Sequence, residues 1–214
     1  PLIQLLTGNA MRDRHWKQLS EAIKKEFTPP YLDKNLKLGE ITQLKLYEHS
    51  GDVEDICDAS NKELKIENTI VSTAERWKSI EWLMDLYQDT DIPLLKIGEE
   101  DFEALEADQL SVQGMLASRF VKIFEHEVLD WQKRLASVSD VYLAIGEIQR
   151  TWSYLEPLFI GSEEVKSELP EDAARFKGID VNVKHELKTL WKIKNIERSC
   201  NQDKLLDRLE QIQS

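Results

Sequence analysis

The sequence predicts an all-α fold: an elongated helical bundle with one long helix and a single small β-hairpin. Three observations carry this. Glycine and proline are scarce, 8 and 6 among 214 residues, too few to punctuate the many tight turns of a sandwich or barrel. Apolar residues recur at three- and four-residue intervals through most of the chain, which is the spacing of one helix face. One stretch alone, residues 80–98, changes to a period near two.

The first helix is expected after Thr7-Gly8-Asn9 and to run to about Phe27, with Trp16, Leu19, Ile23 and Phe27 on one face. Thr28-Pro29-Pro30 should end it, because proline lacks the donor and disfavours helical dihedrals in the residue before it. A loop-rich connection from Tyr31 to Ser50 carries a short apolar patch at Ile41, Leu44, Leu46 and Tyr47, of either helical or extended character. Gly51-Asp52 then opens a helix bearing Val53, Ile56, Ser60 and Leu64; a second register at Ile66, Ile70, Trp77 and Ile80 suggests another helix after a small kink. WLMDLY, the polar QDTD and IPLLKI together read as a hairpin, about 82–88 against 92–97, with Pro93 suited to an edge. Such a hairpin needs its apolar side against helices to persist in water. EEDFEALEADQL restarts a helix with acids in its first turn, where the helix dipole favours them.

The longest regular signal runs from Phe120 to Phe159. From Phe124 the stripe continues through Val128, Trp131, Leu135, Val138, Tyr142, Ile145, Ile148, Trp152, Leu155 and Phe159, a mean spacing near the heptad value. The aromatic density of RTWSYLEPLF, residues 150–159, is therefore mostly packing, with Tyr154 and Glu156 off the seam and Pro157 as a break. SEEVKSEL forms a short capped helix; Leu169-Pro170-Glu171-Asp172 starts another, carrying Phe176, Ile179, Val183, Leu187 and Leu190. Asn201-Gln202-Asp203 restarts the last, with Leu205, Leu209 and Ile212. The organisation is thus N-terminal helices over 1–79, the hairpin over 80–98, a helix pair including the long helix over 99–160, and C-terminal helices over 161–214, in one elongated piece.

Charge and motif content narrow the function classes. Forty acidic against 28 basic residues give a formal charge of −12, which repels phosphate backbones and anionic lipid. Neither a nucleic acid nor a membrane is an expected partner, and no apolar run approaches the roughly 20 residues of a bilayer span. Cys57 and Cys200 match no zinc or redox spacing and read as reduced thiols. Pro1 begins the chain without the pattern of a signal peptide, as expected for an excised fragment. There is no GxxxxGK[ST], GxGxxG, HExxH, GxSxG or CxxC, so no catalytic, cofactor-binding or metal-ligating residue is assigned. His15, His49, His126 and His185 are scattered over different segments; His126 and His185-Glu186 read as solvated, and His15 reads as a helix-end histidine satisfied by local hydrogen bonds. Glu99-Glu100-Asp101 and Glu163-Glu164 are explained by helix starts.

Two stretches carry a resemblance. MRDRHWKQL, with Arg14, His15 and Trp16, and QRTWSYLEPLF, with Trp152, Tyr154, Leu155, Glu156, Pro157 and Phe159, resemble the linker region of dynein heavy chains. The likeness extends through SEEVKSELPEDAARF, DICDASNKELKIENTI, the YQDT turn, FVKIFEHEVLDWQKRL and LLDRLEQIQS, in the family's order. Pro157 resembles the axonemal, ciliary or flagellar, heavy chains. The resemblance implies a mostly helical arm, its N-terminal half, lying across a ring of AAA+ modules that is the arm's partner, between that ring and the tail. It implies a catalytically silent lever, without a cofactor of its own, in a microtubule motor of the cytoplasmic and axonemal cytoskeleton. Tyr154, Glu156 and the acidic hairpin edge become candidates for touching the ring. Composition and periodicity alone lead instead to a generic helical scaffold or tethering bundle, and more remotely to a small enzyme built on His15 and distant carboxylates.

Overall fold

The computed structural model describes residues 5–6, 8–29 and 44–214. Most of the loop-rich connection expected over Tyr31–Ser50, with Ile41, lies outside the described residues. The chain forms two compact units: a first of Pro1–Val71 with Ser118–Glu125, and a second of Ser72–Ala117 with His126–Ser214. The architecture is all-α, with one two-stranded antiparallel sheet among the described residues.

In the first unit, α1 (Asp13–Ile23) buries His15, Trp16, Leu19 and Ile23. It is shorter than the sequence suggests. Lys24 adopts a left-handed conformation (φ 53°), and its N–H and that of Lys25 turn back onto the carbonyls of Glu21 and Ser20, ending the helix before the prolines act. Phe27 still meets the core, packing edge-on against Trp16 at 6.1 Å. Met11, Trp16, Leu19, Ile23, Leu46, Val53 and Cys57 form that core. α2 (Ser50–Trp77) runs as one helix where two were expected; with no proline or glycine after Gly51, the change of apolar register is a change of buried face, from Val53 and Ser60 to Ile66, Ile70 and Trp77. Its last turns belong to the second unit.

The second unit opens on the hairpin, β1 (Leu83–Leu86) and β2 (Pro93–Lys96), with Leu83 opposite Lys96, Met84 opposite Leu95, Asp85 opposite Leu94 and Leu86 opposite Pro93. Ile92, Leu95 and Ile97 are buried. α3 (Glu99–Leu116) follows, with three acids in its first turn and Leu105, Asp108, Val112 and Met115 buried. α4 (Glu125–Phe159) is the long helix, about 52 Å at 1.5 Å per residue. It begins later than Phe120, because Val121–Ile123 form a separate 3₁₀ turn. Its seam buries Val128, Trp131, Leu135, Val138, Ile145, Ile148 and Trp152; Val141 and Ala144 are buried beside them, while Tyr142 is half-buried.

Pro157 sits inside α4 and does not break it before Phe159. Gly161 closes the turn, where an added Cβ would lie 2.6 Å from the Pro157 carbonyl oxygen. α5 (Glu163–Glu168) is capped by Ser162, whose Oγ accepts the Val165 N–H at 3.3 Å. α6 (Pro170–Ile193) starts with proline in its first turn and buries Phe176, Asp180, Val183, Glu186, Leu187 and Leu190; Asp180, not Ile179, holds the buried position. A short α7 (Ile196–Cys200), absent from the expectation, is set off by Asn195, whose Oδ1 accepts the Arg198 N–H at 2.9 Å. α8 (Leu205–Gln213) ends the chain and buries Leu205 and Leu209.

Candidate functional site

The predicted residues fall into two groups, one in each unit. In the first unit, Arg14, His15 and Trp16 tie α1 to α2. Arg12 places its guanidinium 2.8 Å from Glu67. Arg14 donates from Nε to Glu63 at 2.8 Å and from its terminal nitrogen to the same carboxylate, and it lies over the Phe124 ring at 6.0 Å. His15 is 1% exposed. Its Nδ1 accepts the Arg12 N–H at 3.1 Å, which leaves the proton on Nε2. That atom is 2.9 Å from Glu63 Oε2, yet outside hydrogen-bonding angles. Burial lowers the His15 pKa and the adjacent Arg14 adds to this, while Glu63 opposes it. This neutral, buried imidazole meets the local-hydrogen-bond expectation at Nδ1, the helix-start acceptor, but not at Nε2, which has no hydrogen-bond partner.

In the second unit, the RTWSYLEPLF stretch is the centre of a helix–hairpin junction. The Trp152 indole donates to Asp180 Oδ1 on α6 at 2.9 Å, and Lys184 donates to the other oxygen of that carboxylate at 2.9 Å. Tyr87, at the end of β1, packs its ring on Trp152 with centroids 4.5 Å apart. The Tyr87 hydroxyl lies 3.1 Å from Glu156 Oε2 and 3.4 Å from the Ser153 carbonyl oxygen. Ser153 is four residues before Pro157, so its carbonyl is the one that proline, lacking an N–H, cannot serve within the helix. The phenol sits where that missing donor would be. Burial and the Glu156 carboxylate raise the Tyr87 pKa, which keeps the proton in place. Phe159 stacks on Phe176 of α6 at 5.2 Å, and Leu155 is half-buried. Tyr154 is 73% exposed. Glu156, expected off the seam, is engaged by Tyr87.

Sequence reasoning missed the polar groups that pin the elements of the second unit together. Gln149 reaches β2, donating from Nε2 to the Leu95 carbonyl at 2.9 Å and accepting the Leu95 N–H at Oε1. Trp77 donates to Asp108 Oδ2 at 2.9 Å, and Arg76 pairs with the other oxygen at 2.6 Å. Trp82 donates to Ser199 Oγ at 2.7 Å. Asn195 Nδ2 reaches the carbonyls of Trp77, Lys78 and Ile80 at 2.8–3.2 Å. Glu186, expected to be solvated, is buried and bonded to Arg208 at 2.7 Å, which raises the Arg208 pKa. Its neighbour His185 is exposed, as is His126.

Chemically, these groups are occupied in holding elements together. Asp108, Asp180 and Glu186 each answer a donor with each oxygen, and the Tyr87 phenol is held protonated. A groove of about 310 Å³ lies between α4, α6 and the end of α8, lined by Trp152, Leu155, Arg175, Phe176 and Ile212. Among the described residues no three His, Cys, Asp or Glu side chains are grouped so as to hold a metal ion. No helix of the described residues is long and apolar enough to cross a membrane.

The sequence matches the family described as dynein heavy chain, N-terminal region 2, over residues 1–214. The chain belongs to the dynein heavy chain family. It is similar to the dynein alpha chain of the flagellar outer arm of Chlamydomonas reinhardtii, 44% identical over 98% of this chain. It is also similar to the ciliary dynein beta chain of Tripneustes gratilla, 38% identical over 97% of this chain, and to human dynein axonemal heavy chain 9, 36% identical over 97%. In each case the match spans about 5% of the relative's length. RHW and WSYLEPLF thus belong to a dynein region, and in this chain both serve contacts between secondary-structure elements.

Proposed function

We propose that this chain is a non-catalytic segment of the linker of an axonemal dynein heavy chain, a lever that passes ATP-driven change in a AAA+ ring to the tail of the motor. The observation that carries the reading is the match to a dynein N-terminal region along all 214 residues, with axonemal, ciliary and flagellar chains among the relatives. The ATPase sites then lie outside this segment, the ring and tail of the same heavy chain are its partners, and microtubules are reached through the whole motor. The motor's place is the ciliary or flagellar cytoskeleton.

The second unit suits load bearing for a physical reason. A helix resists bending best when its seam is packed and its neighbours are pinned by directional bonds. Here α4 is held by Gln149 to β2, by Trp152 to α6 and by Glu156 to the hairpin's Tyr87. Tyr154, exposed beside this joint, is the residue of the stretch best placed to meet the ring.

Microtubule gliding by the whole motor carrying Trp152→Ala or Leu155→Ala tests the reading. Loss of gliding with ATP turnover retained is the expected result. Normal gliding in a variant whose seam is shown to be loosened would overturn it.

A further inference from the structure

Three hydrogen bonds fix the phase of the hairpin. Tyr87 donates to the Ile92 carbonyl at 2.9 Å, so the bonded pairs alternate as 87 with 92, 85 with 94 and 83 with 96. The Leu95 backbone groups therefore face away from β1, and Gln149 takes both of them. By the same alternation the backbone groups of Trp82, Met84 and Leu86 face away from β2, along the outer edge of β1. The first part of this edge is taken: Trp82 donates to the Lys194 carbonyl at 2.9 Å and Ile196 donates to the Ile80 carbonyl at 3.0 Å. The chain at 194–196 thus runs as a short antiparallel third strand, with Glu81 opposite Asn195. It then turns away into α7, and Met84 and Leu86 continue the edge with their N–H and carbonyl groups pointing outward.

We propose that this remaining edge of β1 is a strand-addition site for an extended peptide of another protein, one alternating large apolar residues with lysine or arginine. The proposal is independent of the lever reading. Main-chain pairing to an open edge is a recurrent means of holding an extended peptide, with side-chain alternation setting specificity. Three features select this occupant. The edge already accepts an extended segment in continuous register at residues 80–82. Leu86 lies on the same sheet face as the buried Pro93 and Leu95, yet is 55% exposed, so the layer that covers its neighbours stops short of it. On the opposite face Glu81, Leu83 and Asp85 alternate acid, apolar, acid; Asp85 is paired with Lys96 across the hairpin at 2.8 Å, and Glu81 and, at the turn, Asp89 are exposed. Leu83 is 48% exposed. A second copy would bring those same carboxylates together, whereas a basic peptide meets them.

The test is amide hydrogen exchange by NMR on the full chain, with acetyl-Lys-Val-Lys-Leu-Lys-Val-amide as the probe. Exchange of the Met84 and Leu86 amides should slow by about tenfold or more on adding peptide. The Trp82 and Tyr87 amides, already bonded, should be unchanged. Leu86→Pro removes one edge donor and leaves the β1–β2 bonds intact, so peptide should no longer slow Met84. Leu86→Lys keeps the donor, replaces the apolar contact with a like charge, and should weaken the effect; it decides the matter if Leu86→Pro costs Tyr87 its protection. No slowing at about 1 mM peptide overturns the proposal. So does equal slowing by acetyl-Glu-Val-Glu-Leu-Glu-Val-amide, or protection of Met84 and Leu86 that rises with chain concentration alone, which would assign the edge to a second copy.

Discussion

Replacing Gln149 by methionine removes two hydrogen bonds while keeping a side chain of similar length and volume. The bonds in question serve the N–H and carbonyl of Leu95, a residue 3% exposed at the outer edge of β2. A buried backbone group left without a partner costs about 1–3 kcal/mol. Two such groups, discounted because Gln149 is only half-buried and water reaches one side, give an expected loss of about 2–3 kcal/mol. For a chain of this size 1 kcal/mol corresponds to roughly 2–4 °C, so the thermal midpoint should fall by about 4–12 °C. Circular dichroism melts give the shift, and exchange of the Leu95 amide locates it. Gln149→Glu sharpens the test. Its carboxylate accepts the Leu95 N–H but repels the carbonyl; protonated, it restores a donor and reproduces the amide. Because the paired form is the protonated one, its carboxyl pKa is raised by folding, and stability relative to the parent should recover as pH falls through that value. A Gln149→Met chain within about 0.5 kcal/mol of the parent, or a Gln149→Glu chain with no such recovery, would refute the view that this side chain pairs the outer edge of β2.

Other expectations follow from buried polar groups. Asn195→Ala strands the carbonyls of Trp77, Lys78 and Ile80 and removes the α7 cap, and should cost about 2–4 kcal/mol in chemical denaturation. The His15 pKa is lowered by burial, so protons bind better to the unfolded chain; its contribution is present above the unfolded value near 6.5 and is lost as pH falls below it. His15→Gln should therefore flatten the stability profile between about pH 7 and 5. Burial pushes the Cys200 thiol up to about 12 and also raises Cys57, so both should resist a thiol-specific disulfide reagent until the chain is unfolded, when both react. Rapid labelling of the folded chain would contradict the structure.

The apolar seams were legible in the sequence because helical spacing dictates which face is buried, and Trp16, Leu135, Ile145 and Leu190 are buried as that spacing requires. The hairpin was legible from its change of period. Several element boundaries were not, for a specific reason. Lys24 and Lys194 take positive φ at the C-terminal ends of α1 and α6, where glycine or asparagine would have announced the stop, and Lys45 and Lys204 are left-handed just before helical segments begin. Lysine pays about 1 kcal/mol of steric strain there and gives no signal. The junction around Trp152 was half legible. Its aromatic residues declared themselves, but Tyr87, Gln149 and Asp180 act across 28 to 69 residues of sequence, and no local pattern joins such partners. Asp180 alone left a trace, a lone acid in the 4-3-4 spacing of Phe176, Val183 and Leu187.

Asn195 and Ser199 have a bearing on how the chain reaches this form during synthesis. The turn after α2 and the Trp82 indole are bonded to partners 115 to 118 residues later. A nascent chain emerging at a few residues per second holds the early strands without those partners for many seconds after they leave the ribosome. The second unit therefore closes late, around its own C-terminal third, and a truncation before Asn195 leaves Trp82 and the hairpin open to proteases and chaperones.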